Sequence, residues 1–188
     1  MAIRLGSNTF SPFATNFLTA AEEIFPRDLA TSLGGPSGSG QLRLMYFTCR
    51  KTETTSQVRM YSSTTAAGAT PTLVRIGLYS IAANGDGTLV ASTVNDTALF
   101  SAASTTYQKS WSTPYAKAAG QRYAVGLLIV TAAALPTLLG SFVGNAGLAT
   151  ASAPTMAASL TGQADLPVSY TAASLTPSGH RYFTELVP

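Results

Sequence analysis

Charge is what this sequence has least of. Of its 188 residues only 10% are Asp, Glu, Lys or Arg, against roughly 25% in an average soluble domain. Ala, Gly, Ser and Thr fill the gap. A surface so sparsely charged is poorly solvated in a free monomer, so burial against neighbours in an assembly is expected; a secreted β-protein with a Ser/Thr-rich surface is the alternative. The net charge is +3, and the eleven basic residues are scattered apart from Arg50-Lys51. Nucleic-acid binding needs Lys and Arg gathered on one face, often with aromatics between them. No such cluster is present in the sequence, and no nucleic-acid partner is expected.

Cysteine and histidine are nearly missing as well. Cys49 is the single cysteine, which excludes an intrachain disulfide and a thiolate metal site. It reads as a small hydrophobe within a strand. His180 is the single histidine. Nucleophilic catalysis usually needs an imidazole beside a nucleophile and an orienting acid. Ser178 lies two positions away, but on no nucleophile elbow. Paired carboxylates for glycoside hydrolysis are not evident: Glu22 and Glu23 fall in a predicted helix, Asp86 and Asp96 in turns, and Glu53 and Glu185 lack an apolar context. Asn84-Gly85-Asp86-Gly87 lacks the terminal bidentate Glu of a calcium loop. The glycine-rich stretch 34–40 has no phosphate-binding lysine. The expectation is no catalytic residue, no cofactor and no metal.

Long hydrophobic runs are missing too. The most apolar stretch, 123–140, is broken by Pro136 and falls short of the roughly 20 residues a spanning helix needs. Residues 1–6 carry one Arg with no apolar core of signal-peptide length behind it. Synthesis in the cytoplasm without membrane insertion is expected.

What the sequence has is alternation. In 72–82 (TLVRIGLYSIA) Val74, Ile76 and Leu78 share one parity and Arg75 and Tyr79 the other, so a strand here has one apolar face. Asn84-Gly85-Asp86-Gly87 accepts the positive φ of a tight turn, and 88–92 runs back, making a β-hairpin. Further strands are read at 41–49, 56–62, 98–101, 106–111, 138–143, 167–171 and 181–187. Residues 121–131 (QRYAVGLLIVT) are nearly continuous apolar and β-branched, a central strand buried on both faces. Turns are read at 51–55 and 114–120. Eight to ten short strands with turn residues between them predict an all-β fold, an antiparallel β-sandwich, jelly-roll-like.

Residues 1–40 look different. In 14–25 (ATNFLTAAEEIF), Phe17, Leu18, Ala21, Ile24 and Phe25 recur at spacings of three and four, the pattern of an amphipathic helix. Pro26 would close it, and 34–40 has a linker's composition. The division expected is an attachment arm at 1–40, with Phe17, Leu18, Ile24 and Phe25 as its anchor, and a β-sandwich at 41–188. No charge occurs between Arg122 and Asp165, and the expectation is that 123–162 supplies a subunit contact. Eight Tyr and one Trp could stack on sugars or anchor protein contacts. Trp111 with Tyr115, flanking the predicted turn, is the candidate pair.

Over 41–140 the runs LRLMYFTCRKTETTSQVRMYS, TPTLVRIGLYSIAANGDGTLVAST and TPYAKAAGQRYAVGLLIVTAAALPTLLG are similar to tail-associated and capsid-associated structural proteins of phages infecting actinobacteria. The resemblance implies a β-sandwich mounted on the virion by an N-terminal segment and assembled as a homo-oligomer, often a trimer. It carries no catalytic residue set. The function expected is a non-enzymatic minor tail or tail-tip protein that docks multivalently. Its partners would be other virion proteins, with a host surface glycan as a further candidate. A capsid decoration protein clamping neighbouring capsomers, or a free carbohydrate-binding sandwich, are the alternatives.

Overall fold

The computed structural model describes residues 21–36, 38–68, 71–142 and 155–188. Among them every strand pairing is antiparallel, and the fold is an all-β sandwich. The strands are β1 (Glu22–Glu23), β2 (Thr31–Leu33), β3 (Leu42–Thr48), β4 (Glu53–Tyr61), β5 (Leu73–Ile81), β6 (Gly87–Ser92), β7 (Thr106–Lys117), β8 (Arg122–Val130), β9 (Leu138–Phe142), β10 (Ala157–Leu160), β11 (Ser169–Tyr170), β12 (Thr176–Ser178), β13 (His180–Tyr182) and β14 (Thr184–Val187). A seven-stranded sheet runs β11-β6-β5-β8-β3-β10-β12, a four-stranded sheet β1-β14-β4-β7, and a small third sheet β13-β9-β2.

Strand β8 sits mid-sheet between β5 and β3. Its apolar residues alternate between two cores. Tyr123, Val125, Leu127 and Ile129 face the interior of the sandwich, where they meet Met45, Val58, Met60, Val74, Ile76, Leu78 and Leu186. Ala124 and Leu128 face the other way, into a second core with Leu42, Leu44, Tyr79 and Ile81. Burying an aliphatic side chain of this size contributes roughly 1.5–3 kcal/mol, so a strand apolar on both faces demands a cover on each. The four-stranded sheet covers one face. The segment 160–175 straps across the other, laying Leu166 and Tyr170 on it.

Gly77 and Gly126 are paired across β5 and β8 and make room for that strap. A Cβ at Gly126 would meet the Tyr79 ring at 2.8 Å and Leu42 at 3.0 Å; one at Gly77 would meet Leu89 at 2.8 Å and Leu166 at 3.1 Å. Tyr79 therefore lies across two bare backbones, its ring 5.3 Å from that of Tyr170, with its hydroxyl donating to Pro167 O at 3.2 Å. Arg75 pins the strap with a two-pronged bond to Asp165 at 2.8 and 2.9 Å. The β5–β6 hairpin forms as expected, with Gly85 at φ +90°.

Four expectations need correction. Residues 21–25 are not helical: β1 pairs with Glu185 and Leu186 of β14, because the buried bond that Glu22 makes outweighs a local 3.6-residue pattern. Residues 14–20 of the predicted helix, with Phe17 and Leu18, lie outside the described residues. The boundary at 40 is not where the sandwich begins, since β1 and β2 are already sheet strands. Residues 98–101 are a turn, with Phe100 at φ 65° and the side chains of Leu99 and Phe100 filling the core. Residues 114–120 are not all turn, since β7 continues to Lys117. Pro114 is tolerated because it lies in the bulge of an edge strand, outside the register with β4.

Filling the space at Gly126 tests the double-faced packing. G126V is expected to lower stability by about 1–3 kcal/mol through overpacking against Tyr79, read as a fall in the denaturant midpoint with unchanged slope.

Candidate functional site

The residues picked out as interaction candidates turn inward. Trp111 is 4% exposed, and its Nε1 donates to Thr55 Oγ1 at 3.2 Å. It sits where β7 bulges: Thr55 faces Tyr115 while Gln57 faces Ser110. Tyr115 is half-buried and packs edge-on against Tyr123 at 6.0 Å between ring centroids. The pair offers no exposed stacking platform. Ile24 and Phe25 are buried in the main core, with the Phe25 ring edge-on to Phe183 at 5.5 Å. His180 lies against the Phe142 ring at 4.7 Å; burial, with the Arg43 charge behind it, lowers its pKa. Its backbone N–H, not its ring, meets Ser178 Oγ, so no nucleophile is activated there.

The reading of 123–162 as a subunit contact also changes. Strand β8 is buried within its own chain, and β10 is largely so, which explains much of the missing charge internally. Residues 143–154 lie outside the described residues.

The sequence reading missed a buried charge network. Lys117 Nζ, with no side-chain exposure, sits 2.5 Å from Glu22 Oε2 and 2.7 Å from Glu53 Oε1. Glu22 Oε1 accepts the Arg50 backbone N–H at 2.6 Å, and Glu53 also meets Lys51 Nζ at 2.8 Å. Cys49 Sγ lies 3.5 Å from Glu22 Oε2 and donates to Lys51 O at 3.1 Å. Burial would raise the Glu22 carboxyl, but the hydrogen bonds from Lys117 and Arg50 outweigh it and hold the group below its ordinary value of 4.5. Burial would likewise lower Lys117, but bonds to Glu22 and Glu53 hold it above 10.5. Burial pushes the Cys49 thiol up, away from reactive thiolate. Both members of the central ion pair are charged at neutral pH and enclosed, so the cluster ties β1 to β4 and β7 rather than meeting a substrate. A lysine ending a strand of small polar residues was its only sequence signal.

Charge is therefore mostly spent inside the chain. Of the ten described Lys and Arg, seven (Arg27, Arg50, Lys51, Arg59, Arg75, Lys109 and Lys117) contact a carboxylate. Beyond a few exposed charges such as Arg27, Arg50 and Asp165, parts of the surface are small and neutral. Strand β7 shows it best: at the edge of its sheet, it exposes Thr106, Gln108, Ser110, Ser112, Thr113, Pro114 and Ala116 without a charge among them. Ser112 and Thr113 face residues 89–92 of β6 across a shallow groove of about 200 Å³. Among the described residues no group of three or more His, Cys, Asp or Glu could hold a metal.

No protein-family model matches the chain, and no curated protein matches it either.

The buried pair sets a pH dependence. Glu22's folded pKa lies below the unfolded value, so its contribution is complete above about pH 4.5 and is lost as pH falls through the folded value. Lys117's is raised, so its contribution persists to about pH 10.5 and is lost as pH rises further. K117M leaves Glu22 buried and uncompensated, at a cost of about 3–5 kcal/mol, or on the order of 10 °C in Tm. Melts of variant and wild type from neutral pH to pH 4 should converge on the acid side, where protonated Glu22 relieves the variant. A constant gap would exclude Glu22 as the source.

Proposed function

We propose that this chain is a non-enzymatic structural protein of a bacteriophage virion, a minor tail or tail-tip β-sandwich protein assembled as a homo-oligomer. The observation that carries the reading is the uncharged, exposed β7 edge. An edge strand presents unpaired backbone groups, and chains that stay monomeric blunt such edges with lysines and inward-turned charges. Here the single β7 lysine outside the buried network, Lys109, is held by Asp96, and the interruptions of the edge, Pro114 and the bulge, are confined to 111–114. A strand of twelve residues whose exposed side chains are uncharged suits pairing with a neighbouring copy.

The resemblance over 41–140 supplies the setting: a sandwich in a virion, with other virion proteins as partners through the N-terminal segment and a trimer as the favoured state. The carbohydrate-binding alternative loses its support, because the aromatic pair it relied on is packed inside. Between tail and capsid, antibody labelling of intact particles decides: label at the tail tip supports the reading, whereas label spread over the shell would make the chain a decoration protein.

Light scattering across a concentration series tests assembly. The full chain should run as an oligomer, and S112K/T113K should shift it to monomer. Both positions are exposed, so stability should change by no more than about 0.5 kcal/mol. A wild-type monomer at every concentration would overturn the assembly reading.

A further inference from the structure

Three buried or half-buried arginines border β3: Arg43 near its start, and Arg122 and Arg181 beside its Thr48 end. Arg43 is held by Ser178 Oγ at 2.5 Å and Gln41 Oε1 at 2.9 Å. The other two face a common cleft. Arg122, the first residue of β8, lies over the Tyr46 ring at 4.9 Å and donates from Nη2 to Thr155 O at 2.8 Å. Arg181, in the middle of β13, donates from Nη2 to Tyr46 O at 3.1 Å and to Ile24 O at 3.2 Å. Its guanidinium lies over the Phe25 ring at 5.0 Å. Strand β10 pairs with β3 only as far as Met45, so the chain from Tyr46 to Thr48 is left to form the cleft floor. The cleft, about 180 Å³, is bounded by Arg122, Arg181, Thr48 and Thr155.

Each arginine spends one nitrogen on backbone carbonyls and a face on an aromatic ring. Those contacts orient the guanidinium without neutralising it. Arg181 Nε is moreover buried with no hydrogen-bond partner. Burial lowers the pKa of both, and no carboxylate acts in return on either, yet arginine stays protonated under these conditions. Lys51, Arg59, Arg75 and Lys117, buried or partly buried elsewhere in the described chain, are each met by an acid. Here two oriented guanidinium groups share a cleft that holds none. Planar forks of this kind match the paired oxygens of carboxylate and phosphate.

We propose that the cleft between Arg122 and Arg181 is an oxyanion site, taking a carboxylate or phosphate group against the open end of β3. It stands whether or not the chain assembles through β7.

Arginine-selective modification with phenylglyoxal on the intact wild-type chain tests it, read residue by residue by peptide mass spectrometry. Inorganic phosphate, at constant ionic strength against chloride, should slow modification of Arg122 and Arg181 several-fold. Exposed Arg27 should be unaffected. Succinate in place of phosphate separates the two chemistries: protection by either anion supports the site, and protection by neither overturns it. Calorimetric titration with the protecting anion adds a second reading. R122Q, checked for a native circular dichroism spectrum, should weaken binding at least about tenfold, while R27Q should bind as wild type does. Equal binding by R122Q and wild type would remove Arg122 from the site and overturn the proposal.

Discussion

Strand β8 has to be buried on both faces, and most of the architecture answers that demand. Its alternate side chains feed two cores, so each face needs a cover. On one side β4, β7 and β14 close the sandwich around Val125, Leu127 and Ile129. On the other, the strap 160–175 lies over Ala124 and Leu128, held by Tyr79, Tyr170 and the Arg75–Asp165 pair. The glycine pair at 77 and 126 follows from the same demand, since the strap's aromatic rings can approach only where the backbone carries no side chain. Within a core this dense, small changes in volume are felt directly.

Scarcity of charge has a second consequence. Seven cations are matched to acids, and the strongest match, Lys117 with Glu22 and Glu53, lies inside. A buried pair of this kind is poor evidence of net stability, but it is specific: removing one partner strands the other. It fixes where β1 docks, and so draws residues 22–33 into the sheets. What is left outside is a neutral edge at β7 and a cleft with two unmatched arginines at the end of β3. Those are the two places on the described surface that invite a partner, one through backbone pairing and one through charge.

Much of the fold was legible in the sequence. The parity of Val74, Ile76 and Leu78, the turn at Gly85 and the double burial of β8 all follow from side-chain alternation, a local signal. What misled was tertiary. Residues 21–25 carry a helical spacing, but Glu22 is needed as a strand residue opposite Lys117, a partner 95 residues away. Leu99 and Phe100 look like strand residues, yet they plug the core from a turn. Trp111 and Tyr115 flank an expected loop that is in fact a bulge in an edge strand, which aims the indole inward. The charge-free stretch after Arg122 was read as a contact surface because hydropathy alone cannot tell burial inside a chain from burial between chains. Arg122 and Arg181, 59 positions apart in sequence, gave no signal of the cleft they share.

The central claim is that the neutral β7 edge is where one copy meets another. Hydrogen–deuterium exchange measured on dilute and concentrated protein addresses it most directly, because it reads the backbone amides that such pairing would use. The account predicts that the outward-facing amides of 106–113, those not bonded to β4, exchange rapidly when dilute and become protected on concentration, while those of β8 are protected throughout. Rapid exchange of the outward-facing β7 amides at every concentration, with β8 protected as before, would contradict it.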